Sequence, residues 1–136
     1  MSGTICFHRD GALPKDNFVF VFGSNLAGRH GRGAAKAARE MFGAKYGNGV
    51  GIQGASYAIP TKGRKLEVLS IDVIEQYVNE FIQFVGSECT RKYWITRIGC
   101  GLAGYNDKDI APLFRPLIHT QETTISLPEP WKPFIQ

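Results

Sequence analysis

Cysteine is scarce and scattered. Cys6, Cys89 and Cys100 make an odd set of three with no C-x-x-C spacing, which argues against both a disulfide framework and a zinc site. His8, His30 and His119 show no local pairing, so no metal is expected and structural roles are the default for all three. No apolar run approaches the ~20 residues that a membrane helix needs, and no membrane partner is expected. Met1-Ser2-Gly3-Thr4 lacks the charged-then-apolar layout of a signal peptide, so a cytoplasmic location is expected. Linkers, repeats and low-complexity blocks are also missing, and the 136 residues suit one domain spanning 1–136. Charge is not concentrated. Sixteen Lys+Arg against twelve Asp+Glu leave +4, with short clusters only at Lys62-Arg64-Lys65 and Arg91-Lys92. Such an excess favours anionic partners, a small phosphorylated ligand as well as nucleic acid, but a scatter of this kind is more often a solvated face than a groove.

What is present is a strand-like run feeding a glycine loop. Tyr93-Trp94-Ile95-Thr96 carries the aromatic and β-branched residues that fit a pleated surface. Arg97-Ile98-Gly99-Cys100-Gly101-Leu102-Ala103-Gly104-Tyr105 follows, and Asn106 or Asp107 offers a cap for the next helix. Strand, glycine loop and helix N-terminus together form a phosphate-binding arrangement. A second such loop, Gly23-Ser24-Asn25-Leu26-Ala27-Gly28-Arg29-His30-Gly31-Arg32-Gly33, opens an alanine-rich helix. It is not a Walker loop, since the Gly-Lys-Ser/Thr ending is missing, and no Rossmann G-x-G-x-x-G with an acidic partner occurs. Arg29 and Arg32 are as well explained by solvation as by phosphate contact.

Around these loops the periodicities predict alternating strands and helices. Ile5-Cys6-Phe7 reads as a short strand. Phe18 to Phe22 is a continuous apolar strand of the kind covered on both faces. Gly33 to Met41 reads as a helix stopped by Gly43, with Ala34, Ala37 and Ala38 allowing close approach to a sheet. Tyr46 to Gly54 reads as irregular with a short strand near Val50. Ser56 to Ile59 is a strand ended by Pro60. Ser70 caps a helix from Ile71 to Val85, whose Ile71, Ile74, Val78, Phe81, Ile82 and Val85 keep the helical period of a core-facing stripe. A helix from about Asp107 with Pro112 in its early turns and a strand over Thr123–Leu127 follow. The tail, 128–136, reads as an extended strap. This alternation implies an α/β fold with a mostly parallel sheet, in which ligands bind beyond the carboxyl ends of the strands. Both glycine loops leave strands in that direction and should face one cleft.

Asn25 to Ala38, with an Asn at a strand end leading through glycines into an Ala-rich helix, resembles the first ligand loop of macrodomains. Ile98 to Tyr105 resembles their second phosphate loop. Tyr57-Ala58-Ile59-Pro60-Thr61-Lys62, the helix after it and Arg97-Ile98-Gly99-Cys100-Gly101-Leu102 resemble, in order and spacing, the terminal ADP-ribose protein glycohydrolase branch. The likeness spans most of residues 4–127, and small uncharacterised macrodomain-like proteins of phages and bacteria are similar too. It implies a three-layer α/β/α sandwich around a mixed, mostly parallel sheet, and a cleft for ADP-ribose or a related NAD-derived nucleotide, without a cofactor.

The resemblance also implies roles. Asp10 matches an acidic residue that holds the adenine amino group; a turn-forming Asp before Gly11 is the alternative. Asn25 matches an amide on the distal ribose, with a strand-end cap as its alternative. Gly23, Ser24, Gly31, Arg32, Gly33 and Ala34, with Gly99, Cys100, Gly101, Leu102, Ala103 and Gly104, would surround the ligand, largely through backbone amides, and Tyr105 would stack on it or anchor the loop. Lys62 matches a lysine that attacks the distal ribose carbon; such a nucleophile needs burial or a cationic neighbour, and the alternative is a solvated lysine in a basic turn. At Ala103 the chain departs from that branch, which has its general acid–base there, so Asp107 or Asp109 is the remaining candidate. Cys100 between two glycines is better explained as a small buried thiol than as a nucleophile. The leading expectation is binding of ADP-ribose or a related NAD-derived nucleotide, with hydrolysis of an ADP-ribosyl linkage on protein or nucleic acid as its extension; a non-catalytic nucleotide-binding or sequestering module and a basic nucleic-acid-binding protein are the alternatives.

Overall fold

The computed structural model describes residues 4–119 and 122–135. Met1–Gly3, on which most of the leader reading falls, and Gln136, the end of the predicted strap, lie outside the described residues. A six-stranded sheet runs in the order β1 (Ile5–His8), β6 (Thr124–Pro128), β5 (Lys92–Ile95), β2 (Phe18–Asn25), β4 (Ser56–Lys62), β3 (Gly51–Gln53). Every neighbouring pair is parallel except β3–β4. None of its helices is long and apolar enough to cross a membrane among the described residues.

Alternation along β2 separates the two faces. Val19 and Val21 join the large core cluster, Phe20 and Phe22 the small one, and all four are buried. Helix α1 (Gly33–Met41) packs its Ala35 and Ala38 against the phenylalanine face. Helix α2 (Ile71–Ser87) covers the valine face through fully buried Ile74, Val78, Phe81 and Val85. Its start is set by Ser70, whose side chain accepts the Val73 N–H at 3.4 Å. With helices on both faces the architecture is the three-layer sandwich expected.

Pro60 does not end β4. The Phe20 N–H donates to Ala55 O at 2.9 Å, so as far as Pro60, before the register shifts at Ser24/Asn25, odd-numbered residues of β4 bond to β2 and even-numbered ones face β3. Strand β3 pairs no further than Ala58, so the N–H that Pro60 lacks would have met no strand. The strand therefore continues and carries Thr61 and Lys62 to the carboxyl edge of the sheet.

Two other expectations need correction. The helix at Asp107 makes a single α turn, α3 (Asp107–Ile110), and then tightens into a 3-10 helix over Ala111–His119. Pro112 and Pro116 lie in that stretch, and proline removes the N–H bonds a longer α-helix would need. The tail is not an extended strap: it forms a 3-10 turn (Glu129–Trp131) and α4 (Lys132–Ile135), with Trp131 and Ile135 buried. Its prolines sit at helix-start positions, where the missing N–H is one of the unpaired ones anyway.

Candidate functional site

Because β1, β2, β4 and β5 are mutually parallel within the sheet, their carboxyl ends share one edge. A cleft of about 910 Å³ opens there. A smaller hollow, about 610 Å³, lies at the opposite edge beside Phe18 and Lys92, away from both glycine loops.

The first loop is clamped at both ends. The Asn25 side chain accepts the Arg29 N–H at 2.9 Å and donates to the Arg29 carbonyl at 3.0 Å. Asn25 borders the cleft, yet its carboxamide is spent on closing its own loop. Beneath this loop runs the Lys45–Val50 segment. The Ser24 hydroxyl donates to the Gly49 carbonyl, the Gly47 N–H to Gly28 O at 2.8 Å, and His30 Nε2 faces the carbonyls of Lys45 and Asn48 at 3.0 Å each, so that nitrogen carries the proton. Gly28 has φ +71°, and a β-carbon on it would lie 2.2 Å from the Gly47 carbonyl carbon. Only glycine allows this backbone-on-backbone contact. The loop then enters α1 at Arg32, whose side chain supplies no cap.

The second loop leaves β5 through Thr96, whose hydroxyl donates to Val21 O at 2.8 Å. Gly99 turns at φ +77°, and a β-carbon there would sit 3.0 Å from the Ile110 side chain. Tyr105 anchors the far end: its N–H donates to Gly99 O at 2.8 Å and its hydroxyl to Leu69 O. Asn106 rather than Asp107 is the N-cap residue of α3, and its N–H donates to the Asp109 carboxylate at 3.2 Å.

Between the loops lies a charge network that links distant parts of the chain. Arg97 donates to both Asp107 oxygens at 2.7 Å each and reaches Asp10 at 3.4 Å. Trp131 Nε1–H donates to Asp107 Oδ1 at 2.9 Å. Bonding to Arg97, opposed by partial burial, holds the Asp107 carboxyl below its usual range. Burial, reinforced by the Asp107 hydrogen bond, pushes the Cys100 thiol up to about 12, so it is not a thiolate at neutral pH.

Of the sequence-predicted site residues, Asp10, Gly23 to Asn25, Gly31 to Ala34, Lys62 and Gly99 to Ala103 line the cleft. Gly104, Tyr105 and Asp107 do not. Tyr105 serves as the loop anchor, and the Asp107 carboxylate, which the sequence offered as a proton donor, lies outside the cleft and is engaged by Arg97 and Trp131. No cluster of potential metal ligands occurs among the described residues.

Sequence reasoning missed the Arg97 bridge, Leu66 and His8. His8 lines the cleft floor, stacks on Trp94 with centroids 3.9 Å apart, and places Nδ1 2.7 Å from the Ser126 hydroxyl. Burial lowers it from 6.5 to about 4. The folded protein therefore keeps His8 neutral where the unfolded chain would protonate it. This contribution to stability is full above pH 6.5 and is lost as pH falls toward 4, at a cost of about 3 kcal/mol by the lower limit. An NMR titration is expected to show the His8 ring protonating near pH 4; a midpoint near 6.5 would contradict its burial.

No family model matches the sequence, and no curated protein matches it significantly. Solved structures do match the fold. The macrodomain of Thermus aquaticus DarG superposes with TM-score 0.69 at 16% identity, over 94% of this chain and 99% of that one. The macrodomain of Mycobacterium tuberculosis DarG gives 0.63 at 16% identity, over 93% and 98%. A protein of unknown function from Bacteroides thetaiotaomicron gives 0.62 at 18% identity, over 93% and 98%. The chain has the macrodomain fold.

Proposed function

We propose that the cleft binds ADP-ribose or a related NAD-derived nucleotide, and that binding rather than turnover is its primary activity. The observation that carries this reading is the convergence of two glycine loops, from the adjacent strands β2 and β5, on one cleft of about 910 Å³. A cleft of this size suits a nucleotide-sized ligand. Arg29 and Arg32 border it beside the N-terminus of α1, where backbone amides and the helix dipole favour a diphosphate. At the β1 end, Asp10 offers a carboxylate to a base amino group while Arg97 holds it in place.

The absence of a free acid argues for binding. Breaking an ADP-ribosyl linkage requires a proton for the leaving group. Asp10, the one carboxylate lining the cleft among the described residues, is paired with Arg97. Ala103 has no proton to give, and Asp107 stays ionised outside the cleft.

A second reading, hydrolysis, is favoured by Lys62 alone. It sits half-buried in the cleft, with no hydrogen-bond or ion-pair partner for its ammonium among the described residues. In that reading the neutral amine of Lys62 bonds to the ribose anomeric carbon as the bond to the acceptor breaks, the acceptor takes up the proton that the lysine nitrogen loses, and water then displaces the lysine to release ADP-ribose. Calorimetry is expected to show ADP-ribose binding with micromolar affinity, about −8 kcal/mol, and no release of ADP-ribose from modified protein or DNA. Failure to bind at millimolar ligand overturns the proposal. Release that disappears in Lys62→Ala would establish the hydrolytic reading instead.

A further inference from the structure

Three leucines are exposed among the described residues, Leu13 at 44%, Leu66 at 42% and Leu102 at 65%, and all three line the cleft. They come from three separate loops, after β1, β4 and β5. Isolated exposed leucines need no explanation. Their confinement to the rim of one cleft does, because apolar side chains there lose water only when something fills the cleft.

Leu66 adds a second, independent observation. Its φ of +64° makes it the one non-glycine residue with positive φ among the described residues. The left-handed region is strained for a branched side chain such as leucine, and turns that need it ordinarily use glycine or asparagine. The turn that holds this conformation is closed by several hydrogen bonds. Lys62 pairs with Val68 across it. Gly63 N–H donates to Glu67 O at 2.8 Å, Leu66 N–H to Gly63 O at 3.1 Å, and Lys65 N–H to the Glu67 carboxylate at 3.0 Å. The Glu67 carboxylate folds into the space that a side chain on Gly63 would occupy, 2.4 Å from the β-carbon position. Strain held by so well-bonded a turn fits a functional use of the side chain it displays.

The geometry points to Leu66 as a ligand-contacting specificity residue: an apolar lip, lining the cleft together with Leu102, that covers the Lys62 end of the cleft and packs on the non-polar face of the bound ribose. It rests on the nucleotide-binding reading above. Leu66 is four residues beyond Lys62 on the same short hairpin, so whatever occupies the lysine's end of the cleft meets this side chain. Burying the exposed part of a leucine against ligand is worth about tenfold in affinity.

The test uses opposed readouts on the full chain, with ADP-ribose as probe. Leu66→Gly is expected to raise the melting temperature by about 3 °C through relief of strain, while weakening ADP-ribose binding about tenfold. Leu66→Asn, which tolerates the same backbone, should weaken binding equally, so lost rigidity is not the cause. Leu66→Met, which restores an apolar side chain, should retain affinity to within about twofold. Unchanged affinity in Leu66→Gly and Leu66→Asn, with a wild type that binds, overturns the inference and leaves the nucleotide reading standing. A melting temperature lowered by Leu66→Gly contradicts the strain on which the argument depends. A wild type that binds no ADP-ribose removes both.

Discussion

Gly28→Ala is expected to unseat the first glycine loop and, with it, the cleft. The added β-carbon would lie 2.2 Å from Gly47 C, 2.4 Å from Asn48 N and 2.6 Å from Gly47 Cα. All three are backbone atoms, and none can rotate away as a side-chain tip would. The position also has φ +71°, so alanine is strained there even without the collision. The loop or the Lys45–Val50 segment must move, breaking the Gly47–Gly28 bond and the His30 contacts that hold them together. A destabilisation of about 3 kcal/mol, or about 10 °C in melting temperature, is expected. Displacing ligand-binding amides should weaken ADP-ribose binding on the order of 100-fold. Gly31→Ala is the control within the same loop, because nothing lies within 4 Å of its β-carbon position. Its melting temperature should match the wild type. Equal stability of the two variants in thermal and urea denaturation would contradict the close contact of loop and segment.

Trp131→Ala tests the tail. Trp131 is fully buried, lies 5.1 Å from the Phe114 ring centroid, and donates to Asp107. Truncating a buried tryptophan costs about 3–5 kcal/mol, which for a chain of this size lowers the melting temperature by about 15 °C. The loss should also reach the site. Asp107 then lacks one of its donors, its carboxyl rises, and its grip on Arg97 loosens. Trp131→Phe keeps most of the packing and removes only the hydrogen bond, so it should cost about 1–2 kcal/mol. Urea unfolding of the two variants separates packing from hydrogen bonding. A loss under 1 kcal/mol in Trp131→Ala would mean that the tail is peripheral to the core.

The tail is also where local sequence reasoning fell short. Prolines at 128, 130 and 133 read as extended chain, because proline breaks helices from within. It tolerates a helix start equally well, and the choice between the two depends on whether Trp131 finds a cavity beside Phe114. Pro60 misled for a related reason. A proline ends a strand only if its missing N–H had a neighbour to bond, and the short reach of β3 decided that. Asp107 looked like a stand-in for the acid missing at Ala103, a reading that depended on the direction its side chain takes. Arg97, at the start of the second glycine loop, and Trp131, in the tail, claim that carboxylate together.

What the sequence determined by itself is what depends on neighbours along the chain. The 3.6-residue period from Ile71 to Val85, the Ser70 cap, the apolar run from Phe18 to Phe22 and the two glycine loops placed the helices, the central strand and the end of the sheet that holds the cleft. These features are local, because helix faces, caps and turns are set within a few residues. The tertiary structure alone decided the contacts between segments far apart in sequence. Arg97 joins Asp10 to Asp107, Gly28 lies on Gly47, and Leu66, Leu102 and Leu13 line one cleft. Such contacts arise from the order in which the strands assemble, and spacing along the chain carries no record of that order.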